Sequence, residues 1–379
     1  MRFDHLKSLC LSAGIFALLL IIGFSLSAHK VLWLDELYTQ QTAIDANSLK
    51  GILSHTFPDG NKNPLFYVIQ KGACKAFSYR LPVYFPQYFY STRDVPSQVI
   101  LRIPSNFYMS LALALIFYFF TRFFSFYAAI YALCVALVTP MVWFYWVEAR
   151  PYSLWFLLTT IQLLLVCCSV ISPKTKIVGK LILTHILLSL TTPTSMIQIS
   201  IATLMVGWKA KLNVKQLALV GVLPIGITLF YYSIDVMNKI KTYSFPFNLF
   251  DVVMPERVYI YIIYALTAWV LPEKYRKLSW NIFFLPVFLL FIASALAVLV
   301  KDIYTQNSDQ GFFSRYLIYL TPADILMFSL ASIDLRQWSR QNPWICMNVS
   351  ILLGGLVIMR GLLTYRDILA AALYLHSPW

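Results

Sequence analysis

The stretch LCLSAGIFALLLIIGFSLS, residues 9–27, contains no charged residue. It is close to the ~20 apolar residues that an α-helix needs to cross ~30 Å of hydrocarbon. Arg2 and Lys7 precede it, and the SLS motif at 25–27 resembles the cleavage site of a signal peptide. The apolar run is longer than the usual core of a signal peptide. We therefore predict that residues 9–27 form a first membrane span that is not cleaved.

The composition extends this interpretation to the whole chain. Of the 379 residues, 59% are apolar or aromatic and 12% are charged, and the mean hydropathy is +0.69. Soluble domains carry about twice that charged fraction. Because further apolar runs approach spanning length, we predict an all-α, polytopic membrane protein with about eleven transmembrane helices. The further runs are 100–121, 126–146, 151–171, 178–191, 193–208, 216–234, 257–272, 280–300, 316–334 and 343–360.

The formal charge of +14 does not indicate a nucleic-acid partner, because much of the Lys and Arg lies in short connections between apolar runs. Basic residues concentrated in alternate connections mark the cytoplasmic side of a membrane protein. We therefore predict a cytoplasmic N-terminus, an external C-terminal tail at 361–379 and no nucleic-acid partner. The basic clusters are Arg2 and Lys7; Arg122; Lys174, Lys176 and Lys180; Lys209, Lys211 and Lys215; Lys274, Arg276 and Lys277; and Arg336 and Arg340.

The cysteines do not suggest a framework of any kind. They are scattered, mostly in or beside apolar runs, and their spacing is unlike that of a metal site. We predict no disulfide framework and no metal site. The six cysteines are Cys10, Cys74, Cys134, Cys167, Cys168 and Cys346.

The first external loop, 29–99, is the longest predicted extramembrane segment of a single transmembrane domain that covers 1–379. Residues 64–79 within it are apolar enough to form a twelfth span. That span would move every later basic loop to the wrong side, and it would place Lys71 and Lys75 in the bilayer, where each is costly. We instead predict a helix that lies in the membrane interface.

Two further features describe this loop. Asn63 and Pro64 suit the capping position and the first position of the interfacial helix. A weaker apolar stripe over 38–55 predicts a second interfacial helix in the same loop.

The segment WLDELYT, 33–39, places Asp35 and Glu36 directly after the first span. Adjacent acidic residues point in different directions on a helix or an extended segment, so a single one need face a reaction. Two interpretations stay open for this pair. One is a catalytic carboxylate, and the other is a solvated charge pair at a helix end.

The segment EARPYSL, 148–154, places Glu148 and Arg150 at the external junction of two apolar runs. Ionisable groups at the bilayer boundary usually face a cavity or a partner. The alternative is that Glu148 and Arg150 pair with each other and anchor the interface.

A third group of candidates combines cations and aromatic side chains at the predicted outer interface. Such residues suit an anionic phosphate headgroup, although ordinary interface belts contain the same residue types. His185 and Asp324 fall inside predicted spans, where we expect hydrogen bonds to neighbouring helices instead of catalysis. The third group comprises Lys62, Tyr67, Arg102, Arg315 and Tyr316.

The order of these motifs along the chain resembles that of the GT-C membrane glycosyltransferases. The resemblance is nearest to the bacterial branch that includes lipid A aminoarabinose transferase and relatives of the protein O-mannosyltransferases. It covers about 1–335 in motif order and is strongest over 29–155 and 311–322. The family often has His-Pro-Pro where this chain has Asn-Pro-Leu at 63–65. The motifs are DE at 35–36, NPLFY at 63–67, LRIPS at 101–105, EARPYSL at 148–154 and SRYL at 314–317.

The resemblance implies a GT-C-like fold and a sugar donor carried on a polyprenyl phosphate, which is a substrate and not a cofactor. It implies transfer to a hydroxyl of a glycan, lipid or protein acceptor at the outer face of a bacterial cytoplasmic (inner) membrane. Asp35 would be the catalytic base, with Glu36 beside it and Glu148 as the second acidic site residue. A single displacement by the acceptor hydroxyl would invert the sugar. The predicted donor-binding residues are Arg315, Tyr316, Lys62, Arg102, Arg150, Tyr67 and Tyr152.

Two other functions share this composition. A transporter or flippase of lipid-linked saccharide would place ionisable residues near the midplane and would often show related halves with broken helices. A polymerase or ligase of lipid-linked saccharide usually has its large external loop late in the chain, whereas the predicted loop here comes first.

Overall fold

The chain folds into helices throughout the part that the computed structural model describes. That part comprises residues 4–32, 34–54, 61, 63–80, 95–171, 175–237 and 318–340, with portions of 344–362.

The first helix, α1 (His5–His29), contains the predicted first span. It begins where the Asp4 carboxylate accepts a hydrogen bond from the backbone N–H of Lys7 at 2.8 Å, which satisfies one of the free donors of the first turn. The helix has 25 residues, and an 18-residue window within it has a mean hydropathy of 2.5, so it is long and apolar enough to cross a bilayer. Lys30 ends it in an extended conformation.

Short helices follow α1 in the predicted first external loop. The prediction of helix over 38–55 is confirmed in broken form, as a π-helical segment and α3. The helix predicted over 64–79 is present as α4, whose 12 residues extend ~18 Å and therefore fall short of a ~30 Å bilayer core. The elements are α2 (Leu34–Tyr38), the π-helical segment Thr39–Asp45, α3 (Leu49–Leu53) and α4 (Leu65–Ala76).

The start of α4 differs from the prediction that Asn63 caps it. The helix begins at Leu65, and the side-chain N–H of Asn63 donates to the carbonyl of Ser189 at 2.6 Å. The side-chain amide of Asn61 likewise donates to the carbonyl of Thr191 at 2.9 Å. The polar groups before α4 are therefore bound by a segment far along the chain, which local sequence could not indicate.

The remaining helices build the body of the molecule around α5, which packs against α1, α4, α6, α7 and α8. They are α5 (Val95–Phe123), α6 (Phe126–Leu137), α7 (Pro140–Trp146), α8 (Tyr152–Ile171), α9 (Thr175–Ser189), α10 (Ser195–Ala210), α11 (Val214–Leu217), α12 (Leu223–Met237) and α13 (Leu320–Ser339). A π-helical segment, Ala218–Val222, joins α11 to α12.

At Gly23 of α1, side chains of α5 and α7 approach the helix backbone closely. A Cβ atom at this position would lie 2.7 Å from Nε1 of Trp146 and 3.0 Å from Oδ1 of Asn106. Beside it, the side-chain amide of Asn106 donates to the hydroxyl of Ser27 at 2.9 Å. The absence of a side chain at Gly23 therefore lets α7 lie against the first helix.

In the described residues, four helical stretches are long and apolar enough to span a bilayer, or five if α6 and α7 form one bent span. The bend is 72° and lies at Thr139 and Pro140, because proline has no N–H to continue the hydrogen bonding of α6. A helical membrane protein is the class that these stretches indicate. The four are His5–His29, Val95–Phe123, Tyr152–Ser169 and Val214–Tyr231.

The remaining predicted spans correspond to helices outside these four stretches or lie wholly or partly outside the described residues. The runs at 178–191 and 193–208 correspond to the shorter apolar helices Ile177–Ser189 and Ser195–Trp208. The run at 316–334 corresponds to α13, which carries the buried Asp324 and Asp334 and is not among the four long apolar stretches. The runs at 257–272 and 280–300 lie outside the described residues, and 343–360 is described in part.

Candidate functional site

The two adjacent acids of α2 lie in opposite surroundings. The side chain of Asp35 is 34% exposed, whereas that of Glu36 is fully buried. Successive residues of a helix project about 100° apart, so the two carboxylates cannot share one environment. The prediction that the two acids point in different directions is confirmed.

Glu36 forms a buried, two-pronged ion pair with Arg102 of α5. Nε of Arg102 donates to Oε1 of Glu36 at 2.8 Å, and NH2 donates to Oε2 at 2.6 Å. Oε1 also accepts the backbone N–H of Ala149 at 2.7 Å. Burial by itself would raise the pKa of Glu36, but the charge and hydrogen bonds of Arg102, with the charge of Lys30 and the Ala149 amide, outweigh burial and lower this pKa.

Arg102 uses all its donors inside the protein. Besides Glu36, its guanidinium donates to three backbone carbonyls at the end of α1. An arginine has five N–H groups in its guanidinium, and all five of Arg102 are used. The side chain of Arg102 is fully buried. This geometry argues against the predicted contact of Arg102 with a donor phosphate and makes it a structural residue. The carbonyls belong to Ser27 (3.3 Å), Lys30 and Val31 (2.9 Å).

Asp35 lies beside Arg150, the basic residue of the EARPYSL segment. NH2 of Arg150 is 4.0 Å from Oδ2 of Asp35, and NH1 donates to the hydroxyl of Thr39. Thr39 was not among the predicted site residues, because a threonine one turn after an acid carries no distinctive signal. The ion pair is long, and one third of the Asp35 side chain is exposed.

Glu148 and Lys30 complete the group of charges. The Glu148 side chain is 6% exposed. Its backbone carbonyl accepts the N–H of Arg150 at 2.8 Å, while the guanidinium of Arg150 turns towards Asp35 and Thr39. The predicted alternative of a side-chain pair between Glu148 and Arg150 is therefore not what brings them together.

Lys30, like Thr39, is not among the site residues predicted from the sequence. Burial and the like charge of Arg102 lower the pKa of Lys30, and the charges of Glu148 and Glu36 act against that shift. A lysine directly after a long apolar run, five residues before Asp35, was a signal that could have found it. We call Lys30, Asp35, Glu36, Arg102, Glu148 and Arg150 the boundary cluster, since it lies where α1 ends.

The other predicted site residues lie elsewhere. The side chains of Tyr67 and Tyr152 are buried, and the ring of Tyr152 packs against that of Tyr145 with 4.7 Å between centroids. Both tyrosines therefore contribute to the main hydrophobic core. Lys62, Arg315 and Tyr316 lie outside the described residues.

His185 behaves as predicted for a residue inside a helical bundle. Nδ1 of His185 hydrogen-bonds to the carbonyl of Val220 at 2.7 Å, and its Nε2 contacts Nε2 of Gln162 at 2.9 Å. Gln162 also reaches the carbonyl of Gln198 at 3.4 Å. An Nδ1–H tautomer satisfies both of these contacts of the ring. Asp324 is also buried.

The sequence matches no protein-family model, and no curated protein is significantly similar to it. The observations that bear on function are therefore the boundary cluster and the order of motifs in the chain.

Proposed function

We propose that the chain is a membrane glycosyltransferase with a GT-C-like fold of about eleven spans. It would move a sugar from a polyprenyl-phosphate donor to a hydroxyl of a cell-envelope glycan, lipid or protein acceptor. The membrane would be the bacterial cytoplasmic membrane, and the site would face the periplasm or exterior. The proposal rests on the resemblance in motif order together with one structural observation.

That observation is an accessible carboxylate, Asp35, fixed at the end of a long apolar helix. Glu36 anchors α2 to α5 through Arg102, so the neighbouring Asp35 is presented from a rigid position. A base for transfer to a hydroxyl needs a carboxylate that can come within hydrogen-bond distance of that hydroxyl. A donor whose tail stays in the hydrocarbon would bring its phosphate to this level.

The proposed step is a single displacement. Asp35 accepts the proton of the acceptor hydroxyl, and the acceptor oxygen forms a bond to the anomeric carbon. The bond between that carbon and the phosphate oxygen breaks, and the phosphate leaves with the electron pair. Attack opposite the leaving group inverts the anomeric centre. In this scheme Glu148 orients the acceptor, and Lys62 and Arg315 with Tyr316 are candidates for the donor phosphate on the strength of the resemblance.

Native mass spectrometry of the purified full chain tests the donor. We expect a co-purifying polyprenyl phosphate sugar, and we expect release of free polyprenyl phosphate when an acceptor preparation is added in lipid nanodiscs. A protein that neither carries nor consumes such a donor would refute the proposal.

Reporter fusions test the span count separately. Fusions after Lys62 and Arg80 should report outside, and fusions after Lys176, Lys211 and Lys277 should report inside. A cytoplasmic signal after Arg80 would mean that 64–79 crosses the membrane, and the eleven-span arrangement would fail.

The alternative of a transporter or flippase gains support from two observations. The 72° bend between α6 and α7 is the kind of break that transporters use, and His185 lies in a buried polar network. Liposomes that contain the protein and a fluorescent lipid-linked saccharide separate the two functions. Movement of the lipid across the bilayer without release of the sugar would favour transport.

A further inference from the structure

The three cations of the boundary cluster differ in how many hydrogen bonds and ion pairs they make. Arg102 uses all five N–H groups, and Arg150 donates to Thr39 and lies beside Asp35. Among the described residues, the ammonium of Lys30 makes no ion pair within 4.0 Å and no hydrogen bond. It is the cation of the cluster that can bind a further anion without breaking an existing contact.

The backbone of Lys30 is firmly held. Its N–H donates to the carbonyl of Leu26 at 3.0 Å, and its carbonyl accepts from the guanidinium of Arg102. These bonds fix the Cα atom of Lys30 directly after the last turn of α1, the first candidate membrane span. The phosphate of a lipid whose tail is in the hydrocarbon lies at this depth.

An ordinary interface lysine extends its ammonium into water, whereas Lys30 is not among the exposed residues. It is partly buried, and its charge interacts with Arg102, Glu36 and Glu148. A partly buried ammonium without a contacting anion is unfavourable, because its desolvation is not repaid by an ion pair. A phosphate oxygen within hydrogen-bond distance would supply that anion.

We propose that Lys30 binds the phosphate of the lipid-linked donor through its ammonium group. The identity of the ligand rests on the proposed function, whereas the presence of a phosphate site does not. The segment 30–36 would then hold both the leaving phosphate, at Lys30, and the base, at Asp35.

Two structural roles compete with this proposal. Lys30 could stabilise the fold as a counter-ion of Glu148, or it could anchor α1 to anionic lipids of any kind. The first predicts that removing Lys30 destabilises the protein, and the second predicts equal loss of binding to every anionic lipid.

The test measures binding of polyprenyl phosphate to the purified full chain in neutral-lipid nanodiscs, with phosphatidylglycerol and inorganic phosphate as further ligands. Lys30→Met keeps the length of the side chain and removes its charge. We expect a loss of about tenfold or more in affinity for polyprenyl phosphate, the effect of removing one charge-assisted hydrogen bond. Tm should stay equal or rise, because a partly buried charge is removed, and Lys30→Arg should recover part of the affinity.

Lys71→Met is the matched control. Lys71 lies in the same loop, and its ammonium already donates to the carbonyl of Ile44 at 2.7 Å, so we expect unchanged affinity for polyprenyl phosphate.

Wild-type affinity in Lys30→Met would overturn the role of Lys30 and leave the glycosyltransferase proposal standing. A fall in Tm that Glu148→Gln reverses, with affinity unchanged, would establish the counter-ion role instead. Equal loss of phosphatidylglycerol binding would establish lipid anchoring. If the wild type binds inorganic phosphate through Lys30 but not polyprenyl phosphate, the phosphate site stands and the donor proposal fails; if it binds neither, both fail.

Discussion

Asp35 and Glu36 are adjacent in sequence, but their side chains differ in burial and in the partners that bind them. Glu36 is fully buried, and Arg102 and the Ala149 amide bind it at 2.6 to 2.8 Å. Asp35 is one third exposed, and its nearest described cation, Arg150, is 4.0 Å away. The difference teaches that the buried pair of Glu36 and Arg102 fixes the position of α2, and with it the neighbouring, partly exposed carboxylate of Asp35. The two acids are therefore suited to different roles.

The largest expected effect concerns Asp35 and activity. General-base catalysis contributes about 10²–10⁴-fold, and an asparagine of nearly the same shape cannot accept the proton. Asp35→Asn should therefore lower sugar transfer by about that factor, while Tm and donor binding stay near those of the wild type. The measurement is turnover with a polyprenyl phosphate sugar in nanodiscs. An Asp35→Asn enzyme with wild-type turnover would rule out Asp35 as the base.

Next in size is the loss of stability when the buried pair is broken. Arg102→Met leaves the Glu36 carboxylate buried without its cation, which typically costs about 3–5 kcal/mol in the free energy of unfolding. Thermal unfolding in detergent should show a large fall in Tm. The double variant Glu36→Gln, Arg102→Met should recover part of it, because no buried charge is left unpaired. Equal stability of Arg102→Met and the wild type would contradict the anchoring role.

A smaller effect is expected where α1 meets α5 and α7. In Gly23→Ala the new Cβ would lie 2.7 Å from Nε1 of Trp146, so the tryptophan must move. Overpacking of this kind costs about 1–3 kcal/mol. Gly14→Ala is the matched control on the same helix, because no atom lies within 4 Å of its new Cβ, and its Tm should stay equal or rise. Equal Tm values for the two variants would show that α1 can move away from α5 and α7 at little cost in stability.

The smallest effect is on the pH dependence of stability. The pKa of Glu36 is lowered in the folded protein, so its contribution to stability is present above the ordinary glutamate pKa and is lost as the pH falls through the lowered value. We expect Tm of the wild type to fall more steeply below about pH 4 than Tm of Glu36→Gln, since the unfolded-state pKa of glutamate is near 4.3. Parallel Tm profiles between pH 6 and pH 3 would mean that Glu36 is not held ionised.

The sequence predicted the long apolar helices because length and lack of charge are local properties. The runs at 9–27 and 100–121 appear as α1 and α5, with ends shifted by a few residues. The run at 126–146 was predicted as one span, although the Thr139-Pro140 step within it already carried the signal for the bend. Local pattern gave α4 as a short helix but assigned the wrong role to Asn63.

Partners in the site were harder to predict because they depend on contacts between distant parts of the chain. Arg102 and Glu36 are separated by 66 positions, and nothing near either residue reveals that they meet. The sequence therefore indicates a donor-binding role for Arg102 and a catalytic one for Glu36, whereas in the structure the two side chains pair with each other. Lys30 was overlooked because a lysine at the end of an apolar run resembles an ordinary membrane anchor.

The bonds that hold the start of α4 have a consequence for biogenesis. Asn61 and Asn63 bind carbonyls that lie 130 and 126 positions further along the chain. At about 5–20 residues per second, the ribosome needs roughly 6–26 s to make that intervening stretch. During this interval α1 can already be inserted while the segment before α4 still lacks its binding partners. A nascent chain arrested before residue 175 should therefore be cut by protease near 61–63, and one arrested well beyond 195 should resist.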